Sequence, residues 1–154
     1  MCTKFPARQR RAWPAFPLPD SILLKSSRLT PSEQKILRRH PIVGEQICAP
    51  LKSFNLVLPI IRHHHEKMDG SGYPDGLRGE QIPVSARVLQ IVDIFDALTT
   101  ERPYKPAFSM EKAFAVMKKE LQRGWLDANV YGTFEAMILS RVTNTTKVFA
   151  ASAH

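Results

Sequence analysis

The chain has 154 residues, 44% of them hydrophobic and 23% charged, a balance that suits one packed globular domain and is too apolar for a disordered chain. Its longest nearly unbroken apolar run, Leu56 to Ile61, contains Pro59 and falls well short of the roughly 20 residues a bilayer-spanning helix needs, so no membrane segment is expected. The formal charge of +8 does not point to DNA, because Lys4, Arg8, Arg10 and Arg11 cluster near the N-terminus with no acid among them, the mark of a solvated arm and not of a shaped nucleic-acid face.

Near the N-terminus Pro6, Pro14, Pro17 and Pro19 interrupt any apolar core of a secretory signal. The two cysteines, Cys2 and Cys48, supply neither a disulfide framework nor zinc-site spacing, so a reducing cytoplasm is the expected compartment. Residues 1–17 read as an irregular basic arm, 18–142 as one folded domain and 143–154 as a small, polar tail that frays.

Thr30, Pro31, Ser32 and Glu33 form a capping box with proline at the first helical position, so a helix starts there. It runs through Ile36 and Leu37 to His40, where Pro41 removes a backbone donor and predicts a break or kink beside the histidine. From Asn55 to Glu66 the i, i+4 sets Leu56, Ile60, His64 and Val57, Ile61, His65 predict a second helix that points both imidazoles inward. Asp69 to Gly76 holds three glycines and Pro74 and is loop chemistry throughout. Val84, Val88, Ile91, Phe95 and Leu98 then trace the apolar stripe of a helix about four turns long, with Asp93 and Asp96 one turn apart on it.

Arg102-Pro103-Tyr104-Lys105-Pro106 closes that helix. Ser109 caps another carrying Ala113, Phe114, Met117 and Leu121, with Gly124 as its stop. Asp127 caps a last helix from Ala128 to about Val142. The fold class expected is all-α.

Three of the five histidines stand together at positions 63 to 65, directly before an acid and the glycine loop. One histidine on an apolar face reads best as a hydrogen-bonded core residue. His64 and His65 together, with an inward Asp93 downstream, read better as metal ligands, since neutral imidazole and carboxylate suit divalent ions. Such an ion grips a phosphate oxygen and acidifies a bound water, which makes phosphodiester hydrolysis the natural reaction. Arg102 and Lys105 suit a phosphate ligand. Two features stay open: Tyr73 as a base-stacking ring or a packing anchor, and Gly70, Gly72 and Gly76 as suppliers of positive φ or of close backbone approach.

His64-His65-Glu66, Asp69-Gly70, Gly72-Tyr73-Pro74, Asp93-Ile94-Phe95-Asp96-Ala97 and Arg102-Pro103-Tyr104-Lys105, in this order, resemble the HD-GYP domain family, over roughly Pro19 to Asp127. The resemblance implies an HD-type helical bundle, incomplete at the N-terminus. It further implies a divalent metal centre, iron or manganese, that hydrolyses cyclic di-GMP to the linear dinucleotide or GMP in bacterial signalling. By the same resemblance His40, His64, His65 and Asp93 are metal ligands, and Tyr73, Arg102 and Lys105 contact the substrate, with Asp96 supporting that site. The chain departs from the family where an adjacent His-Asp pair is expected and Arg11 and Ala12 stand. Neither replaces the pair as ligands, so at most one ion is expected and hydrolysis is expected to be impaired. The rival expectation is a module that binds cyclic di-GMP or a signalling protein without cleavage. Apolar helix faces left uncovered by the missing N-terminal part are expected to favour a homo-oligomer.

Overall fold

Among the residues that the computed structural model describes, 19–23, 25, 27–101 and 106–151, all regular structure is helical. In chain order these are α1 (Asp20–Leu23), α2 (Pro31–Leu37), α3 (His40–Cys48), α4 (Leu58–His63), α5 (Val84–Thr99), α6 (Met110–Gln122) and α7 (Ala128–Ala151), with 3-10 turns at Lys52–Phe54 and Gly79–Gln81. Residues 1–18, Arg102 and Lys105 lie outside the described residues, and with them the expected arm and the Arg11-Ala12 departure.

Local signals set most of the boundaries. Thr30 Oγ1 accepts from the Glu33 N–H at 3.3 Å while Glu33 Oε2 accepts from the Thr30 N–H at 2.8 Å, the reciprocal box that satisfies two orphan donors. The helix breaks at Arg38 and Arg39 and restarts at His40, with Pro41 in the first turn of α3, as the proline predicts. Ser109 Oγ caps α6 by accepting from the Lys112 N–H, and Gly124 at φ 72° ends its C-terminal turn.

Three expectations are corrected. The helix before the glycine loop is confined to Leu58–His63, with Pro59 in its first turn. Proline is at home there because its missing N–H has no intrahelical role, so Asn55 to Val57 stay outside. Leu56 is 89% exposed and carries no inward ridge, and His64 and His65 follow α4 instead of riding on it. On α5 the inward stripe holds only in its C-terminal half: Ile91 is buried and Phe95 and Leu98 pack on the core, whereas Val84 and Val88 are 60% and 43% exposed. The N-terminal half of α5 buries Ala86 and Gln90 instead, because α6 and α7 cover only the later turns. The last helix also continues past the expected Val142 to Ala151.

The core sits where α5, α6 and α7 meet. Phe95, Phe114 and Phe134 pack ring against ring, with centroids 5.2 to 6.5 Å apart, and Met117, Leu126 and Tyr131 close around them. Asp127 ties this core together: its Oδ1 accepts from the Asn129 and Val130 N–H groups at the start of α7, and its Oδ2 accepts from Arg87 Nη1 of α5 at 3.0 Å. On the other side α3 packs on α4, and α4 on α5. A Cβ built at Gly44 would stand 2.9 Å from Ile61 Cγ2, so the missing side chain lets α3 and α4 approach closely.

Candidate metal centre

That close approach brings three imidazoles together. His40 opens α3, His64 caps the C-terminus of α4, and His65 follows it. His40 Nε2 lies 3.4 Å from His64 Nε2 and 3.1 Å from His65 Nε2. The opposite ring nitrogens are anchored: Nδ1 of His40 lies 2.7 Å from the Leu37 carbonyl and Nδ1 of His64 2.7 Å from the Ile61 carbonyl. A carbonyl only accepts, so each Nδ1 carries the proton and each facing Nε2 presents a bare lone pair.

Lone pairs this close repel unless something positive sits between them. A single bridging proton serves one pair of the three. Imidazole nitrogens about 2.1 Å from a shared ion stand roughly 3.0 to 3.4 Å apart, depending on coordination angle, so the trio fits a divalent cation. Carbonyls that accept from Nδ1 are what metal-bound histidines use to fix ring orientation. Burial pushes the imidazoles down in pKa, His40 below its ordinary value, His64 to about 4 and His65 to about 2, with neighbouring histidines adding to the effect for the last two. At neutral pH all three are uncharged and ready to ligate.

Asp93 lines the same cavity as His64, His65 and Tyr73, but it stands outside the three-histidine group whose ligand atoms lie within 4.8 Å of one another. Tyr73 stacks on His65, centroids 4.8 Å apart at 27°, and Arg38 lies over its outer face region at 5.1 Å from the centroid. Its ring therefore packs on a candidate ligand. Asp96 Oδ1 accepts from Thr100 Oγ1 at 3.1 Å, and its Oδ2 is buried without a hydrogen-bond partner among the described residues.

The loop that carries Tyr73 hangs on one residue whose role sequence reasoning missed. Glu66 is 1% exposed. Its Oε1 accepts from the Asp75 and Gly76 N–H groups at 2.7 and 3.1 Å, and its Oε2 from the Leu77 N–H at 3.1 Å. Gly72 passes so close that a Cβ would stand 2.4 Å from Glu66 Cα and Lys67 N; its constraint is contact with the chain's own backbone. Gly70 and Gly76 take the positive-φ role, at 81° and 68°. Arg62 forks onto Asp75 (Nε to Oδ2 2.7 Å, Nη2 to Oδ1 2.8 Å) and reaches Glu45 of α3 with Nη1.

His63, Glu66 and Asp75 form a second group with metal-ligand spacing. Its carboxylates are already spent, on three backbone donors and on Arg62 respectively, so this group reads as loop scaffolding. Lys67, Glu120 and Trp125, which no sequence motif marks, also line the cavity. Lys67 Nζ sits 3.1 Å from the Trp125 ring centroid, and burial raises the Glu120 carboxyl above its ordinary pKa.

The HD domain model matches residues 15–130. The cyclic di-GMP phosphodiesterase response regulator RpfG of Xanthomonas campestris is 44% identical over 111 residues, 71% of this chain and 29% of that protein. A cyclic di-GMP phosphodiesterase of Vibrio cholerae is 44% identical over 107 residues, 65% of this chain and 22% of its own length. The 3'3'-cGAMP-specific phosphodiesterase 3 of the same organism is 39% identical over 102 residues, 66% of this chain and 22% of that protein. The chain thus spans less than a third of these curated relatives.

Proposed function

We propose that this chain, which belongs to the HD domain family, takes cyclic di-GMP at the three-histidine cavity as a metal-dependent phosphodiesterase module of bacterial signalling. The observation that carries the reading is the convergence of three imidazole Nε2 atoms through 3.1 and 3.4 Å contacts, two of the rings with Nδ1 held by a carbonyl, beside a cavity of about 420 Å³ that His64 and His65 line. His40, His64 and His65 hold the ion, with Asp93 as the fourth ligand. A bound iron or manganese ion would supply Lewis acidity toward a phosphate oxygen and a water acidic enough to attack it.

The chain's own residues do the rest. The Leu37 and Ile61 carbonyls keep two rings in the ligating tautomer. Tyr73 keeps His65 from rotating by stacking on it and lines the substrate side, while Asp96, Arg102 and Lys105 serve the substrate's phosphates and sugars. The products are the linear dinucleotide or GMP.

A second reading, binding without cleavage, is favoured by Asp93 standing apart from the three imidazoles and by the resemblance, which sets Arg11 and Ala12 at the family's His-Asp pair. Two-metal phosphodiester hydrolysis needs ions about 3.5–4 Å apart, and the trio offers one ion only. Four exposed apolar residues of α5, Val84, Val88, Leu89 and Val92, support association with a second copy or a signalling protein. No helix among the described residues is long and apolar enough to cross a membrane, and two cysteines without a framework support a cytoplasmic setting.

Metal analysis of the purified chain, hydrolysis of cyclic di-GMP with added manganese or iron(II), and equilibrium binding of the same ligand test these readings together. Binding of up to one equivalent, abolished in His65→Ala, supports the site; turnover supports the hydrolase and its lack the binding module. Two or more equivalents per chain would overturn the single-ion reading, and metal binding unchanged in His65→Ala would overturn the site.

A further inference from the structure

We propose that Lys67 and Glu120, which line the same cavity as His64 and His65, form a guanine-selective base subsite; this rests on the reading of the cavity as the cyclic dinucleotide site. The wall is built and not accidental. Lys67 follows His65 by two residues, Glu120 comes from α6, and Trp125 follows the end of that helix. The Met68 N–H donates to the Trp125 carbonyl at 3.1 Å and the Trp125 N–H to the Glu120 carbonyl at 3.2 Å, which locks the three segments in register. All three side chains line the cavity that His64 and His65 open onto.

The polar groups on this wall are a donor and an acceptor awaiting a partner. Lys67 is held by its ammonium over the indole of Trp125, 3.1 Å from the centroid, where a cation is attracted to the ring quadrupole and the N–H donors turned away from the ring serve other acceptors. The half-buried Glu120 carboxylate makes no hydrogen bond and no ion pair within 4.0 Å among the described residues; Lys67 and Arg123 act on it only through space. A partly desolvated carboxylate with open lone pairs favours a ligand that brings N–H donors. Ile94, Ala97 and Leu98 of α5 and Leu126 give the cavity an apolar surface for a flat ring, beside the polar Gln90 and Asp93 of the same helix.

Chemistry then decides which part of a cyclic dinucleotide lies here. A phosphate would face the like charge of Glu120, so the phosphates belong at the histidine end and a base belongs at this one. Guanine carries adjacent N1–H and N2–H donors that match a carboxylate bidentately, and O6 and N7 acceptors for an ammonium. Adenine presents a bare N1 where guanine has N1–H and lacks the N2 amine, so it sets a lone pair against Glu120. Lys67 and Glu120 are therefore specificity-determining residues, separate from the metal ligands.

The test is isothermal titration of the full chain, with manganese present, against cyclic di-GMP, cyclic GMP-AMP and cyclic di-AMP, repeated for Glu120→Gln, Lys67→Ala and His65→Ala. The wild type is expected to bind in the order given. Because a bidentate base contact is worth roughly a factor of 10 to 100 in discrimination, Glu120→Gln should lose about that much affinity for cyclic di-GMP while leaving cyclic di-AMP unchanged, so that selectivity collapses. Lys67→Ala should weaken the guanine ligands more than cyclic di-AMP. A merely structural role for Glu120 would weaken all three ligands alike and lower the melting temperature, and that result would overturn the proposal. So would unchanged selectivity in Glu120→Gln in a protein whose cyclic di-GMP binding is still lost in His65→Ala, an outcome that spares the parent reading. A wild type that binds none of the three ligands removes the parent reading and the subsite with it.

Discussion

Replacing Glu66 by glutamine tests whether one buried carboxylate holds the glycine loop against the three-histidine cluster. In the native chain Oε1 accepts from two backbone N–H groups and Oε2 from a third. The amide oxygen of glutamine keeps the Asp75 and Gly76 pair when it faces them, but the NH2 group then meets the Leu77 N–H, donor against donor. An unsatisfied buried donor costs about 1–3 kcal/mol, and the remaining bonds lose the charge assistance that makes hydrogen bonds to an ionised group roughly twice as strong. The loss sums to about 2–4 kcal/mol. For a chain of this size 1 kcal/mol moves Tm by roughly 2–4 °C, so Glu66→Gln should melt about 5–15 °C below the wild type. Far-UV circular dichroism in the presence of a chelator reads this without any contribution from metal. Glu80→Gln, at an exposed position of the same loop region, controls for the loss of one negative charge and should melt with the wild type. If Glu66→Gln melted within about 1 °C of the wild type, the loop would not hang on this residue and the reasoning would fail.

Three further outcomes are expected. Gly72→Ala places a methyl group 2.4 Å from backbone atoms of Glu66 and Lys67, and overpacking against backbone costs about 1–3 kcal/mol or more; because the Tyr73 N–H donates to the His65 carbonyl at 3.2 Å, the variant should also bind manganese more weakly, measurable by titration. Asp127→Ala removes the α7 cap and leaves Arg87 unpaired in a largely buried setting, for a loss of about 2–4 kcal/mol in urea denaturation, with Asp127→Asn falling between because it keeps the cap. Acid should destabilise the metal-free chain early. His64 and His65 have folded pKa values depressed to about 4 and about 2, so below the ordinary histidine value of about 6.5 the unfolded state binds protons that the folded state refuses. Stability is fully present above that value and falls as pH drops toward 4. A melting temperature that rose on acidification from pH 7 to pH 5 would contradict buried, neutral imidazoles.

Features governed by neighbours in the chain were legible in the sequence. The Thr30 box, the break at Pro41, the Ser109 and Asp127 caps and the loop from Asp69 to Gly76 each depend on chemistry within a few residues, and each is found. Periodicity misled where tertiary cover decides: the spacing of Val84, Val88 and Ile91 is one stripe, but α6 and α7 reach only its later half. It also overextended α4, because an i, i+4 pattern does not register that Pro59 begins a helix better than it continues one. His64 and His65 announced themselves by adjacency, and His40 through the family motif. Lys67, Glu120 and Trp125 left no sequence signal because they meet only when α6 folds back over the histidine segment. Glu66 was visible beside the histidines, yet its task emerges only once the loop's N–H groups are seen turning toward it.

The absence of a side chain at Gly44 makes interhelical spacing a dial on the ligand trio. His40 opens one helix and His64 and His65 directly follow the other, so whatever wedges α3 from α4 spreads the three nitrogens without altering any of them. A methyl introduced there, 2.9 Å from Ile61 Cγ2, acts on ion affinity through distance alone. On the proposed reading of the trio, a residue that never touches the ion thus sets how tightly the ion is held.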